Sequence, residues 1–443
     1  MQRKHIIPSW IPTLVVAVGV YVFVSYASAT ERITPYWYNV IQLAAVTAIS
    51  ALGLNLIYGF NGQFSLGHIG FYAIGAYGSA LITKDFVSSW SGGQIGALSW
   101  MVAGQVGVLA TLVMTQRIRL GAIRRRLETS LDAFLKAHER WMIVTLVSLV
   151  LVAFSLAVGV ALTWLVQRGV SAGLGSVLGA LPEAVAERVV FALGLLNGGT
   201  MAAIIAYLVG LPLLRLSSDY FGIATLGFAI MVYTALQNSD LVIATMKGAR
   251  GMVGIPRWTT WTWVYLGLCA AVIVMRNLIW SSQGRAIMSV REDETAAKLM
   301  GIDVAQQKAI AFAIGALFAG VAGGLYAHLF GFLHPSSFSF VKGFDPLIII
   351  VFGGLGSMTG TIVASALFAL IIEGLRVVLP QGFEDWRFVI YPVLLLIIML
   401  VRQQGLLGTT EWGWLRAPLP PERDVVGPVP AVSPAGVGGT EDA

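Results

Sequence analysis

Residues 36–58 read YWYNVIQLAAVTAISALGLNLIY, twenty-three consecutive positions without a charged side chain. A helix needs about 20 mostly apolar residues to cross the hydrocarbon core of a bilayer, so this run alone is long enough. Working outward from it, comparable runs lie at 10–28, 63–83, 95–115, 141–166, 189–214, 220–237, 259–280, 309–332, 346–357, 361–379 and 388–401. The expectation is an all-α, polytopic membrane protein with about twelve hydrophobic segments, some of them short or broken. Two depart from a plain span: 63–83 is rich in glycine and polar residues, and 346–357 is too short to cross as a straight helix.

The whole chain agrees with that reading. Its 443 residues are 57% hydrophobic and 11% charged, whereas soluble domains carry about a quarter charged residues. A soluble enzyme is excluded, and so is a nucleic-acid binder despite a net charge of +6. The single cysteine, Cys269, permits no intrachain disulfide, and the five histidines are scattered, so no metal site is expected. There is no P-loop of the form G-x-x-x-x-G-K-[ST] and no protease or hydrolase signature. No cofactor is expected. Acidic residues are scarce within the spans, which argues against an ion-driven carrier, because such carriers need buried carboxylates as relays.

Charge placement orients the spans. Arg3 and Lys4 precede the first one and put the N-terminus in the cytoplasm by the positive-inside rule. Alternation then places three loops inside: 116–140 with Arg117, Arg119, Arg124, Arg125, Arg126, Lys136 and Arg140; 215–219; and 281–308 with Arg285, Arg291, Lys298 and Lys308. Lys247, Arg250 and Arg257 fall outside, against the trend. A signal peptide ending at Ala27-Ser28-Ala29 is an alternative for the first span, although Pro8–Tyr26 is long for its apolar core. The segment from Glu411 onward, rich in Pro, Gly and Val, reads as a disordered cytoplasmic tail.

The most informative loop is 282–308, SQGRAIMSVREDETAAKLMGIDVAQQK. Ser289 and Glu292 have the spacing of a capping box. Asp293 and Glu294 add first-turn negative charge, Ala296 and Ala297 continue the helix, and Gly301 can end it in a left-handed cap. A helix over 290–300 is expected, too short to be stable alone and therefore docked against something. An ordinary connecting helix is the plain alternative.

The Thr295-Ala296-Ala297 run followed by Gly301, with its acidic residue at Glu294, resembles the coupling loop of the branched-chain amino acid permeases of ABC importers, LivM branch. Gly53-Leu54-Asn55-Leu56 through Gly59-Phe60-Asn61-Gly62-Gln63-Phe64-Ser65-Leu66-Gly67-His68 is similar to that family's early glycine-rich segment. Ser218-Asp219-Tyr220 to Phe228, Gly323–His328, Gly353–Ser357 and Gln404–Gly408 match as well. The chain departs at Ile230 and Tyr233, where the family commonly has Glu and Arg, and at Met246-Lys247-Gly248.

The resemblance implies a non-enzymatic permease subunit in a bacterial inner membrane, moving branched-chain amino acids or a related small solute such as an amide, urea or an aromatic acid. Its implied partners are a second homologous permease, two cytoplasmic ABC ATPases, a periplasmic solute-binding protein and the lipid bilayer. The coupling loop would comprise Arg285, Ser289, Arg291, Glu292, Asp293, Glu294, Ala296, Ala297 and Gly301. Asn55, Asn61, Gln63, Ser65 and His68 could line a translocation pathway, since broken backbone at membrane depth sits beside protein or water; glycines that only permit tight packing are the other reading. The expected organisation is 1–84 as N-terminal spans, 85–185 as an inserted pair of spans with the basic segment, 186–410 as the permease core and 411–443 as the tail. A stand-alone secondary carrier or channel remains the alternative class, with an integral-membrane enzyme behind it.

Overall fold

The computed structural model describes residues 10–89, 96–117, 137–214, 216 and 218–378, and, beyond them, 393, 396–397, 400–402, 404–408, 410–413 and 415. These residues are almost entirely helical: α1 (Trp10–Ala29), α2 (Pro35–Leu54) continued by a π-helical turn (Asn55–Phe60), α3 (His68–Ser89), α4 (Gly96–Arg117), α5 (Ala137–Gly179), α6 (Glu183–Leu213), α7 (Ser218–Gln237), α8 (Trp261–Trp280), α9 (Ser282–Glu292), α10 (Glu294–Leu299), α11 (Val304–Phe330), α12 (Phe344–Gly353) and α13 (Met358–Val378). A two-stranded antiparallel ribbon, β1 (Met252–Val253) with β2 (Phe332–Leu333), ties the α7–α8 connection to the end of α11.

Among the described residues eight helices are long and apolar enough to cross a membrane: α2 with its π turn, α4, α5, α6, α7, α8, α11 and α13. The other four expected segments differ in kind. The first is α1. The second, α3, is 22 residues long, about 33 Å, and its polar and glycine content is tolerated because it is buried nearly throughout by other helices. The third, α12, has ten residues, spans about 15 Å and is no crossing by itself. The last, 388–401, lies mostly outside the described residues.

The bundle is organised around α11, which packs against α2, α3 and α6. The approach is closest where Gly75, Gly198 and Gly320 meet. A Cβ on Gly75 would stand 2.1 Å from the Gly320 carbonyl oxygen, and one on Gly198 would stand 2.6 Å from that of Gly75. Bilayers give helices no hydrophobic drive to associate, so van der Waals contact between such small residues carries the packing. Phe71, Phe191 and Phe312 fill the remaining core and are fully buried.

Helices α4 and α5 pack mainly on each other and expose most of their surface. They join the core through a buried apolar cluster of Ile82, Phe86, Leu98, Leu178, Ala186 and Val190 and through polar contacts: Gln105 Nε2 donates to the Asn197 carbonyl at 3.2 Å, and Thr200 Oγ1 donates to Gln105 Oε1 at 2.8 Å. Most of the basic segment 116–140 is outside the described residues.

The helix expected over 290–300 is replaced by two. Ser281 caps α9, its hydroxyl accepting from Gly284 N at 3.1 Å, so the helix begins earlier than expected. It ends at Asp293, whose extended backbone (φ −157°, ψ 114°) is the N-cap of α10. Asp293 Oδ1 accepts from Thr295 N at 2.7 Å and Ala296 N at 3.0 Å. A carboxylate with two backbone donors outcompetes the Ser289–Glu292 capping box. Ser289 instead lies inside α9, its hydroxyl donating to the Ala286 carbonyl at 2.8 Å. Gly301 does take the left-handed conformation, φ +80°, and Asp303 caps α11.

The tail expected from Glu411 is also ordered where it begins. Glu411 accepts from Met358 N at 2.6 Å and Thr359 N at 3.1 Å, placing a negative charge at the N-terminus of α13 where the helix dipole favours it. Leu415 is buried, and its carbonyl accepts from Trp280 Nε1 at 3.1 Å. The expected disordered stretch otherwise lies outside the described residues.

Candidate functional site

Two interruptions of helix meet on the side of the bundle that carries α9 and α10. One is the loop 61–67 between the π turn and α3; the other is the turn 354–357 between α12 and α13. Asn55 joins them. Its Nδ2 donates to the Ser357 carbonyl and to Thr361 Oγ1, both at 2.9 Å, and its Oδ1 accepts from Gly356 N at 2.9 Å. The π turn puts this carboxamide, fully buried, against the second break.

Arg291 closes the same junction from the α9 side. Its guanidinium donates to the Gly59 carbonyl, and the side chain passes over Gly62 (φ +77°) and Gly356 (φ +84°). A Cβ on Gly62 would lie 3.2 Å from Arg291 Cγ, and one on Gly356 would lie 3.0 Å from Nη1. Both positions favour glycine for the left-handed turn, and a Cβ at either would crowd the arginine. One side chain thus touches both breaks and belongs to the surface helix pair.

The pair itself is anchored by a small apolar cluster. Val290, Ala297 and Val304 are buried against Ile302, and Glu294 pairs with Lys308 at the start of α11. Arg285 folds back on the α8–α9 corner, donating to the Trp280 carbonyl at 3.1 Å and Ser282 Oγ at 3.0 Å. Leu299 and Met300, at the tip, are more than 80% exposed. That is a surface apolar pair that no described residue covers.

Beside the clasp is a cavity of about 240 Å³ lined by Asn61, Gln63, Arg291, Glu292, Asp293 and Lys308, among others. Asn61 is 2% exposed, and both atoms of its carboxamide lack a partner among the described residues; so do Gln63 Oε1 and Ser65 Oγ. His68 uses Nε2 on the Ser50 carbonyl at 2.8 Å and leaves Nδ1 without a partner there. Leaving buried polar groups unpaired costs about 1–3 kcal/mol each. Of the five polar residues expected along a pathway, Asn55 is engaged in structure while the other four keep free polar atoms. The nine loop residues divide likewise: Arg291, Glu292, Asp293 and Glu294 line the cavity, Arg285 folds onto the α8–α9 corner, Ser289 bonds within α9, Ala297 is buried, and Ala296 and Gly301 lie on the exposed outer turn.

Sequence reasoning did not single out the segment 332–343. It turns back along α3: Phe338 stacks near Tyr77 and Tyr72 (ring centroids 5.8 and 6.0 Å), and Gly343 lies against Ile69, near the first turn of that helix. The chain thus runs beside α3, a helix of membrane-spanning length, as short 3-10 turns with Ser336, Phe340, Val341 and Lys342 exposed. Irregular backbone at membrane depth is tolerated only against protein or water. The signal available in the sequence was the polar and aromatic mixture His334-Pro335-Ser336-Ser337-Phe338, unusual for a solvent loop. Thr225 of α7, buried and accepting from Leu66 N at 3.0 Å, was missed as well.

Comparison with known proteins gives the arrangement a family. Residues 142–400 match the family model described as the permease component of branched-chain amino acid transport systems. The high-affinity branched-chain amino acid transport system permease protein LivM of Escherichia coli K12 is 32% identical over 247 residues, 48% of this chain and 56% of the relative. LivH of Salmonella typhimurium is 27% identical over 281 residues, 62% of this chain and 85% of the relative. The probable LivM of Methanocaldococcus jannaschii is 24% identical over 235 residues, 47% of this chain and 66% of the relative. The chain therefore spans little more than half the length of the E. coli LivM it matches. No solved structure matches it. With the family model covering more than half of its residues, the chain belongs to the permease components of branched-chain amino acid transport systems, in the LivM branch.

Proposed function

We propose that the chain is the membrane subunit of an ATP-driven importer for branched-chain amino acids or a related small solute (an amide, urea or an aromatic acid). In this reading it pairs with a second permease, two cytoplasmic ATPases and a periplasmic binding protein, with both of its own termini in the cytoplasm. The observation that carries the reading is the Arg291 clasp: a surface helix pair with an uncovered Leu299–Met300 tip touches both helix breaks through one side chain. An ATPase that pushes on α9 and α10 moves Arg291, and Arg291 moves the loops 61–67 and 354–357 together. The unpartnered row Asn61, Gln63, Ser65 and His68 would meet solute or water as the loops shift. The exposed turns 336–342 and α7 would face the second permease across the pathway, which removes them from lipid. Helices α4 and α5, which pack mainly on each other, would be the inserted pair of spans.

The test is uptake and ATP hydrolysis in liposomes holding the assembled complex. A Glu294→Ala, Gly301→Ala double variant is expected to hydrolyse ATP while losing uptake, because α10 loses both its anchor and its terminating turn. Normal coupled uptake by that variant contradicts the assignment. Uptake driven by an ion gradient in liposomes containing this chain alone would favour a secondary carrier.

A further inference from the structure

A groove of about 520 Å³ opens on the membrane face opposite α9 and α10, between the first turns of α6 and the start of α8. Its charged lining is Glu187 and Arg188 from α6 and Arg257 from the segment before α8; its aromatic lining is Phe191, Trp258 and Trp263. Phe191 is fully buried and forms the floor, with Trp263 edge-on at 5.1 Å and Trp258 at 6.4 Å. Helix α6 has 31 residues, about 46 Å, which exceeds the ~30 Å hydrocarbon core. Its first turns, with Glu187 and Arg188, therefore stand at headgroup level. Tryptophans at a helix start are placed as membrane-interface anchors are.

The charges are the unusual feature. Among the described residues none of the three enters an ion pair, although all line one groove. Two guanidiniums and one carboxylate together offer a site for an anion and, beside it, a cation. Below them Leu266 lines the groove and is 57% exposed, and Ile273, two turns further along α8, is 46% exposed. An apolar track thus leads from the charged end toward the membrane centre.

We propose that this groove holds one phospholipid whose headgroup carries both a phosphate and a primary ammonium, as in phosphatidylethanolamine. Arg188 and Arg257 take the phosphate, for which the guanidinium fork is suited. Glu187 accepts from the ammonium, Trp258 and Trp263 wall the glycerol region, and an acyl chain follows Leu266 and Ile273. The choice over an anionic lipid rests on Glu187, which would repel a headgroup of negative charge alone. The choice over a choline lipid rests on the hydrogen bond that a quaternary ammonium cannot donate.

Native mass spectrometry of the full chain, purified with the subunits that accompany it and stripped of lipid, tests this. Phosphatidylethanolamine, phosphatidylcholine and phosphatidylglycerol of matched chains are added in turn. One phosphatidylethanolamine per chain is expected at a concentration at least fivefold below that needed for the other two. The Arg188→Ala, Arg257→Ala double variant should weaken it at least tenfold, and Glu187→Gln should cut the preference over phosphatidylcholine to less than twofold. An unchanged thermal midpoint of the variants keeps these readings about binding. Phosphatidylglycerol binding as tightly as phosphatidylethanolamine would overturn the proposal. So would equal retention of all three lipids regardless of variant, displacement by millimolar leucine, or a groove sealed by a second permease with no lipid retained.

Discussion

Glycines at the centre of the bundle and glycines at the helix breaks meet different neighbours. Gly75, Gly198 and Gly320 face backbone carbonyls of other helices at distances no Cβ could share. Gly62 and Gly356 face a side chain, that of Arg291, and hold left-handed turns. The first set locks three helices at fixed separation. The second set leaves two loops whose position depends on one arginine from a surface helix. The glycine-rich stretch 59–78 contains both kinds: Gly75 belongs to the first and Gly62 to the second. A rigid core beside a clasped break is an arrangement that can pass movement without unpacking.

The comparison can be broken at its rigid end first. Gly320→Val sets two methyl groups against the Gly198 carbonyl and Ala202. Overpacking costs about 1–3 kcal/mol where side chains can yield, and backbone cannot, so the largest loss is expected here: little monodisperse protein in detergent by size-exclusion chromatography. A well-folded Gly320→Val protein would mean that the three-glycine contact is looser than described.

The two asparagines sharpen the contrast within the break. Asn55→Ala strands Gly356 N and removes both donations to α13, and should lower the thermal midpoint by the equivalent of about 1–3 kcal/mol. Asn61→Ala removes a carboxamide that has no partner among the described residues, so stability should hold or rise while uptake falls. Equal destabilisation by the two substitutions would erase the distinction between structural and pathway polarity. The smallest effect belongs to Gly301→Ala. Nothing lies within 4 Å of the new methyl, so only the left-handed backbone is charged for it, about 1–2 kcal/mol; Gly301→Asn should recover much of that in the same thermal measurement.

Which parts of this were readable from sequence follows from the range of the forces involved. Spans are local: a run such as 36–58 shows its length and apolarity directly, and α2, α4, α6, α7, α8, α11 and α13 lie close to their expected positions. A helix in the loop 282–308 was found by its local pattern, yet its boundaries were misread, because Ser289 and Asp293 are both competent caps, and the two backbone donors Asp293 takes, with the docking of Val290 and Ala297, favour the break at Asp293. Arg291 was placed in the segment without its role. Its contacts, Gly59 and Gly356, lie 232 and 65 residues away in sequence, and no periodicity announces them. Asn55, named among residues that could line a pathway, bridges to residues some three hundred positions later. The inward path of 332–343 escaped because loop length alone does not say whether a connection faces water or turns back into the bundle. Glu411 escaped for a similar reason: a helix N-cap supplied from 52 or 53 residues downstream leaves no local mark.

The central claim is that Arg291 carries motion from the α9–α10 pair to both breaks. It is tested most directly by the number of solute molecules taken up per ATP hydrolysed, in liposomes containing the assembled complex with either wild-type chain or Arg291→Ala. The clasp predicts that the variant folds, assembles and continues to hydrolyse ATP while uptake per ATP falls by at least about tenfold, the equivalent of some 1.4 kcal/mol of lost coupling. An Arg291→Ala complex that transports with wild-type stoichiometry would contradict it.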